Sequence, residues 1–243
     1  MAHTETVSHV DGIIPEHTDA LFLSQHMAGY AFAKSLIHGK RILEIGFGEG
    51  YGANDLASAA KYVMGIDVAP GNATRAAAKY PRPNLTFLYM EAGRLDFPDA
   101  SFDAACSFQL IEHLAESDVP EHLRQVARVL VPGGSYIITT LNLENAMKSG
   151  KPYTQIPCLI KEYTDPELRR ALEQVFPSVA LYGLYRRWPQ HVAGRLKKWG
   201  LDRLGPEKLN PVRRYFAQIT VNDFIVKPYV TRHATDLFAV CRT

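Results

Sequence analysis

Arg41-Ile-Leu-Glu-Ile-Gly46-Phe-Gly48-Glu-Gly50-Tyr-Gly52 is a short β-prone run that empties into four glycines within seven residues. The apolar run reads as a buried strand, and a helix is predicted to follow from about Ala53 or Asn54. One tight turn needs fewer glycines than this, so the loop reads as a backbone surface for a ligand: without Cβ atoms the chain approaches closely, and positive φ costs little. Gly46, Phe47, Gly48, Gly50 and Tyr51 are therefore candidate ligand-binding positions. Twenty-one residues past Gly46, the run YVMGID ends at Asp67, where a carboxylate after a second strand can accept both hydroxyls of a ribose. Gly48 to Ala53 formally fits the dinucleotide pattern GxGxxA. The first glycine after the strand is Gly46, however, and counted from there the third small residue is missing. Glu44, inside the strand, would repel phosphates and suits an ammonium or a sulfonium-bearing amino acid.

Outward from this loop, RILEI, NDLASAA, YVMGID, ATRAAAKY, LTFLYM, FDAACSF, PEHLRQVARVL and SYIITT alternate strand-like and helix-like windows. Such alternation predicts parallel strands with right-handed helical crossovers, a doubly wound α/β sheet. A helix is expected over Asp19 to Ile37, with Leu23, Met27, Tyr30 and Leu36 at helical spacing. After Thr140 the pattern loosens, and a long irregular connection of this kind is usually functional. It recovers as DPELRRALEQVF and VALYGLY. ITVNDFIV and DLFAVCR read as closing strands, the last at a sheet edge. We divide the chain into an arm and lid helix (1–40), a ligand-binding core (41–185), a basic helical cap (186–220) and final strands (221–243), all within one domain, 1–243.

With 243 residues, 27 basic and 25 acidic, and 47% hydrophobic content, the chain can bury one sizeable core and carries no bulk field that demands a nucleic-acid partner. Cys106, Cys158 and Cys241 are odd in number, widely spaced and without a CxxC pair, which argues against a disulfide framework and fits a reducing cytoplasm. No ligand spacing for a metal appears, so none is expected. The polar start MAHTETVSHVDG lacks the apolar core of a signal peptide, and no stretch reaches the roughly 18 apolar residues of a membrane span.

The glycine loop resembles that of the class I S-adenosylmethionine-dependent methyltransferases, ILEIGFGEGYG here against VLEIGCGEGYG there, and the resemblance spans roughly residues 26 to 180. Three further matches follow in order: Glu91-Ala92-Gly-Arg-Leu-Asp-Phe-Pro-Asp-Ala-Ser-Phe-Asp103, Ser107-Phe-Gln-Leu-Ile-Glu112-His113-Leu, and Arg128-Val-Leu-Val-Pro132-Gly133-Gly134. The resemblance implies a Rossmann-like methyltransferase fold with a mostly parallel seven-stranded sheet, a helical N-terminal lid and a basic helical insertion before the last strands. It further implies S-adenosylmethionine as cofactor, with S-adenosylhomocysteine as product. Glu44, Gly46, Phe47, Gly48, Gly50 and Tyr51 would surround the methionine portion, Asp67 the ribose and Val68 the adenine. Glu91 and the Ala92 amide would read the adenine edge, Phe108 and Gln109 would lie under the sulfonium, and His26 and Tyr30 would close over it. The chain departs from the family pattern at Gly29, often Arg; at Phe47, usually Cys or Ser; and at Leu159, where relatives often show His.

Methyl transfer from a sulfonium needs alignment more than acid–base chemistry. For a hydroxyl acceptor a base is useful, and His113, Glu112, His26 and His17 are the candidates. The expected acceptor is a small molecule, such as the hydroxyl of a sugar or of a lipid-linked or phosphorylated glycan. Residues 186–214 carry nine Lys or Arg against Asp202 and Glu207. With Val192, Leu196 and Trp199 on one helical face they look like a cap over the site and suit transient contact with a membrane surface. An exposed edge strand together with this insertion would also suit a homodimer. Two other readings stay open: a noncatalytic cofactor-binding protein, and an NAD(P)-dependent oxidoreductase, since Tyr30 and Lys34 have YxxxK spacing. The latter pair precedes the loop instead of following it.

Overall fold

In the computed structural model, which describes residues 13–147, 153–205 and 209–243, eight strands form one sheet in the order β3-β2-β1-β4-β5-β8-β6-β7. Strands β1 (Arg41–Ile45), β2 (Tyr62–Asp67), β3 (Leu85–Tyr89), β4 (Phe102–Phe108) and β5 (Leu130–Leu141) are mutually parallel. β8 (Asp236–Arg242) runs antiparallel between β5 and β6 (Ser178–Arg186), and β7 (Phe224–Lys227) pairs antiparallel with the far side of β6. The doubly wound, mostly parallel sheet is as expected, with one strand more than the seven anticipated. DLFAVCR is not at an edge: six of its seven residues are buried, as an apolar run flanked by strands on both sides should be. The residues at that edge are the short run Phe224–Lys227.

Side chains alternate across the strands and define a core on each face. Ile42, Ala104, Cys106 and Ile137 pack with Tyr30, Ala33, Ala53 and Leu56, from α1 (Ala20–Lys34) and α2 (Tyr51–Leu56). Leu43, Ile45, Ala105 and Ile138 pack with Leu123, Val126, Leu168 and Leu172, from α4 (Val119–Val129) and α6 (Asp165–Glu173). Helix α3 (Asn72–Lys79) covers β2 and β3, and a short helix, α5 (Leu143–Met147), interrupts the loosened stretch after Thr140. α1 starts one residue after its cap, Asp19, whose carboxylate accepts from the Leu21 and Phe22 amides.

The basic insertion folds as α7 (Trp188–Lys198), a turn of 3-10 helix (Leu201–Arg203) and α8 (Pro211–Ala217). Of Val192, Leu196 and Trp199, the first two are half-buried and Trp199 is 74% exposed, while Gln190 and Ala193 are the fully buried residues of α7. The hydrogen bond from Gln190 Nε2 to the Asp223 carbonyl, 2.9 Å, turns the helix that way.

Candidate active site

Because β1 to β5 are parallel, their carboxyl ends share one edge of the sheet, where the loop after β1 meets residues that follow β2, β3 and β4. Gly46 and Gly48 adopt φ of +79° and +57°. Gly50, at +82°, caps α2, which begins at Tyr51, two to three residues earlier than its sequence indicates. A Cβ at Gly50 would stand 2.7 Å from Ala76, so this glycine serves packing against α3, whereas a Cβ at Gly48 would enter open space. Asp67 locks the loop in place: one carboxylate oxygen accepts from the Gly48 amide at 2.8 Å, the other from the Ala69 amide at 2.8 Å and the Asn72 side chain at 3.2 Å.

The loop borders a cavity of about 440 Å3 whose walls include His26, Tyr30, Gly46, Phe47, Gly48, Tyr51, Phe108, Gln109, Glu112 and His113. Ten sequence candidates thus converge. Phe22, His26 and Tyr30 reach the cavity from α1 at four-residue intervals, one face of a helix. Gly29 is explained by the next layer, since a Cβ there would lie 3.1 Å from Phe108. Phe47 turns its ring onto Phe87, 4.7 Å between centroids. Asp67, Val68, Glu91 and Ala92 lie outside the cavity wall, at the neighbouring ends of β2 and β3, where the Met90 amide donates to the Asp67 carbonyl at 3.0 Å. Glu91 is exposed, and the Ala92 carbonyl is held by buried His122 Nδ1 at 2.9 Å. His17 is exposed and outside the cavity wall.

Glu44 is fully buried behind Tyr30, whose hydroxyl donates to Oε1 at 2.7 Å, and Oε2 has no partner. Burial pushes its carboxyl up to about 8. Glu112 is also pushed by burial to about 8, although Thr140 Oγ1 donates to it at 2.9 Å. Its own carbonyl accepts from the Ile160 and Lys161 amides, tying the irregular loop to the site. Burial lowers His26 to about 4, so it is neutral at physiological pH. His113 is lowered too, by desolvation, against a bond between Nδ1 and the Cys158 carbonyl at 3.1 Å. When neutral, that bond places the proton on Nδ1 and leaves the Nε2 lone pair free.

Gln109 was anticipated; its partners were not. It holds φ of +54°, a strained value for a side chain larger than glycine. Its Nε2 donates at 3.0 Å to buried Asp236, which also accepts from Gln25 Nε2 at 2.8 Å. Asp236 lies more than a hundred residues from either glutamine, and local sequence carries no signal for such a contact. Cys158, Leu141 and Ile156, which also line the cavity, come from the connection flagged as functional. Lys34 pairs with Asp55 at 2.7 Å, so the YxxxK pair is split between two other partners.

The buried acids predict an unusual stability profile. Glu44 and Glu112 keep protons in the folded state that the unfolded chain releases above about 4.5, so their contribution is full below that pH and lost as pH rises toward 8. Below 6.5, neutral buried His26 and His122 oppose this trend. Between pH 6.5 and 8 the denaturation midpoint of the ligand-free chain should therefore fall, and Glu112→Gln should flatten the slope. A midpoint that rises across that interval contradicts the assignment.

The arrangement defines a class: a Rossmann-like sheet whose first glycine loop and lid helix border a cavity at the carboxyl ends of the strands, with Asp67 and Glu91 at the neighbouring strand ends. Residues 43–138 match the family model described as a methyltransferase domain. A Mycolicibacterium smegmatis protein named "Probable S-adenosylmethionine-dependent methyltransferase" is 35% identical over 56% of this chain and 51% of its own length. The fatty-acid O-methyltransferase of the same organism is 28% identical over 78% of this chain and 66% of its own. An S-adenosylmethionine-dependent methyltransferase structure from Thermotoga maritima superposes with a TM-score of 0.60 at 18% identity, over 92% of this chain and 89% of that one, a likeness of fold. Over residues 43–138 the chain is similar to the class I S-adenosylmethionine-dependent methyltransferases, and it spans about half the length of the first curated relatives it matches.

S-adenosylmethionine is the cofactor of this family, and the residues present fit it. The open space at the Gly48 Cβ position is a cradle only glycine leaves clear, and Gly46, Gly48, Tyr30 and Phe108 border the same cavity.

Proposed function

We propose that the chain transfers the methyl group of S-adenosylmethionine to a hydroxyl of a small molecule, a sugar or a lipid-linked or phosphorylated glycan. The observation that carries this is the single cavity joining the glycine turn to a histidine of fixed tautomer. Gly46, Gly48 and their backbone would hold the methionine portion, Asp67 the ribose, and Val68, Glu91 and the Ala92 amide the adenine, while Phe108 and Gln109 would lie under the reacting centre. Bound, the cofactor supplies an electrophilic methyl group on a sulfonium. His113 Nε2 takes the hydroxyl proton, and the Cys158 carbonyl, which accepts from Nδ1–H, stabilises the imidazolium that forms. This answers the absence of a histidine at 159: Leu159 is an apolar wall residue, and the base comes from the neighbouring loop. Tyr30, His26 and Phe22 exclude water from above.

Phe22, Phe108, Leu141, Ile156 and Leu159 make the cavity apolar, in keeping with a lipid-borne acceptor, and one relative named above is a fatty-acid O-methyltransferase. A second, polar pocket shares Leu141 and Ile156 with the first and adds Asn142, Asn145, Glu162, Arg186 and Thr235, groups suited to hydroxyls and a phosphate. Methyl-labelled donor offered with free sugars, polyprenyl-phosphate sugars and glycolipids should yield a labelled methyl ether with at least one glycan class. Donor binding with no labelled product from any of them contradicts the proposal and leaves a noncatalytic cofactor-binding protein.

A further inference from the structure

β6 runs antiparallel to β8 and therefore parallel to β1 through β5, so Arg186 ends on the same sheet edge as the glycine loop. Helix α7 leaves from that edge. Its first residue, Trp188, is 72% exposed, and its C-terminal cap, Trp199, is 74% exposed. Eleven residues make three helical turns with only about 20° to spare, so both indoles project from one outward face, roughly 16 Å apart. Val192 and Arg195 share this face, with His191 and Lys198 on its flank. The opposite face is the packed one: Gln190 and Ala193 are buried, and Lys197 Nζ lies 4.9 Å over the Phe216 ring. The helix carries no acidic residue. Beyond it, Leu204 and Leu209 are 62% and 71% exposed.

Soluble surfaces rarely group large apolar side chains this way, and no helix among the described residues is long and apolar enough to cross a membrane. We propose that the outward face of α7, with Trp188, Trp199, Arg195 and Lys198, docks on an anionic lipid bilayer. Indoles favour the headgroup level of a membrane, and flanking cations are attracted to acidic lipid. A convex helix face that offers only cations and apolar groups complements a flat negative surface, and it has no groove in which a peptide would lie. Arg186, two residues before Trp188, lines the second pocket, so docking brings that pocket near the lipid. The inference deepens the acceptor class proposed above, and its test uses neither donor nor acceptor, so either can fail alone.

The two tryptophans of the chain both lie on this face, so intrinsic fluorescence of the full chain reads it directly. Titration with phosphatidylglycerol/phosphatidylcholine vesicles should move the emission to shorter wavelength and carry the protein into the lipid pellet. Phosphatidylcholine alone should do neither, and about 1 M salt, with its Debye length near 3 Å, should reverse both. Arg195→Gln with Lys198→Gln should weaken partitioning roughly 30-fold, from the usual contribution of each cation near an acidic leaflet. Trp199→Ser, an exposed change that keeps Trp188 as reporter, should also weaken it. Unchanged emission and an empty lipid pellet with acidic vesicles would overturn the proposal. So would equal binding to both vesicle types, or a shift that depends on protein concentration and not on lipid, which would assign the face to a second copy of the chain.

Discussion

Gly52→Ala is expected to destabilise the protein by about 2–3 kcal/mol, to lower its melting temperature by roughly 5–10 °C and to abolish donor binding. Gly52 sits inside α2, where helix propensity alone predicts the reverse, a gain of about 1 kcal/mol for alanine. The neighbour decides the sign. A Cβ at this position would stand 2.0 Å from Cζ of Tyr30 and 2.2 Å from its hydroxyl. Tyr30 is 2% exposed, and its ring is 4.2 Å from Phe108 between centroids, so it can move only toward the cavity. That motion breaks its bond to Glu44, leaves a buried carboxyl without a donor, a loss of about 1–3 kcal/mol, and fills space meant for the cofactor. Tyr30→Leu in the Gly52→Ala background should recover stability, a clear departure from additivity. An unchanged or raised melting temperature for Gly52→Ala would show that the lid does not pack on the loop as described.

His113→Ala should lower kcat by about 10²- to 10⁴-fold on the preferred acceptor, the usual range for a positioned general base, while affinity for S-adenosylhomocysteine stays within a factor of two or so. The pH profile identifies the base. With His113 in that role, the acid limb of kcat/KM lies below 6.5, because desolvation lowers its pKa. With His26 it would lie near 4, where burial places that ring. Glu112 is a poor base: it is 1% exposed, pushed up to about 8, and committed to Thr140. A loss of less than threefold on His113→Ala would remove it from the chemistry.

The parts of this site that were legible from sequence are those whose reason is local. A strand that ends in alternating glycines specifies its own turn, and Asp67 follows at a spacing set by one crossover. Ten of the anticipated positions face one cavity. What stayed hidden depends on distant segments. Nothing near Gln109 announces that Asp236 will hold its amide, and nothing near Gly52 announces the Tyr30 ring above it. Glu44 was expected beside the ligand, yet it lies one layer back, because its strand is sealed by the lid helix. The cationic stretch is visible in the sequence, but which face of its helix turns inward is not: charge and hydrophobicity fix that a helix has two faces, and tertiary contacts such as Gln190 with Asp223 choose between them. For the same reason none of its described residues beyond Arg186 borders either of the two joined pockets.

The proposed function requires that the loop at Gly46–Gly48, braced by Asp67, receive an adenosyl sulfonium. Isothermal titration of the purified chain with S-adenosylhomocysteine addresses it without knowledge of the acceptor. The wild-type chain should bind with one-to-one stoichiometry. Asp67→Ala should bind roughly 10- to 100-fold more weakly, since it removes a charged acceptor and frees the Gly48 amide. A folded wild-type chain that releases no heat with either S-adenosylmethionine or S-adenosylhomocysteine, or an Asp67→Ala variant that binds as the wild type does, would contradict it.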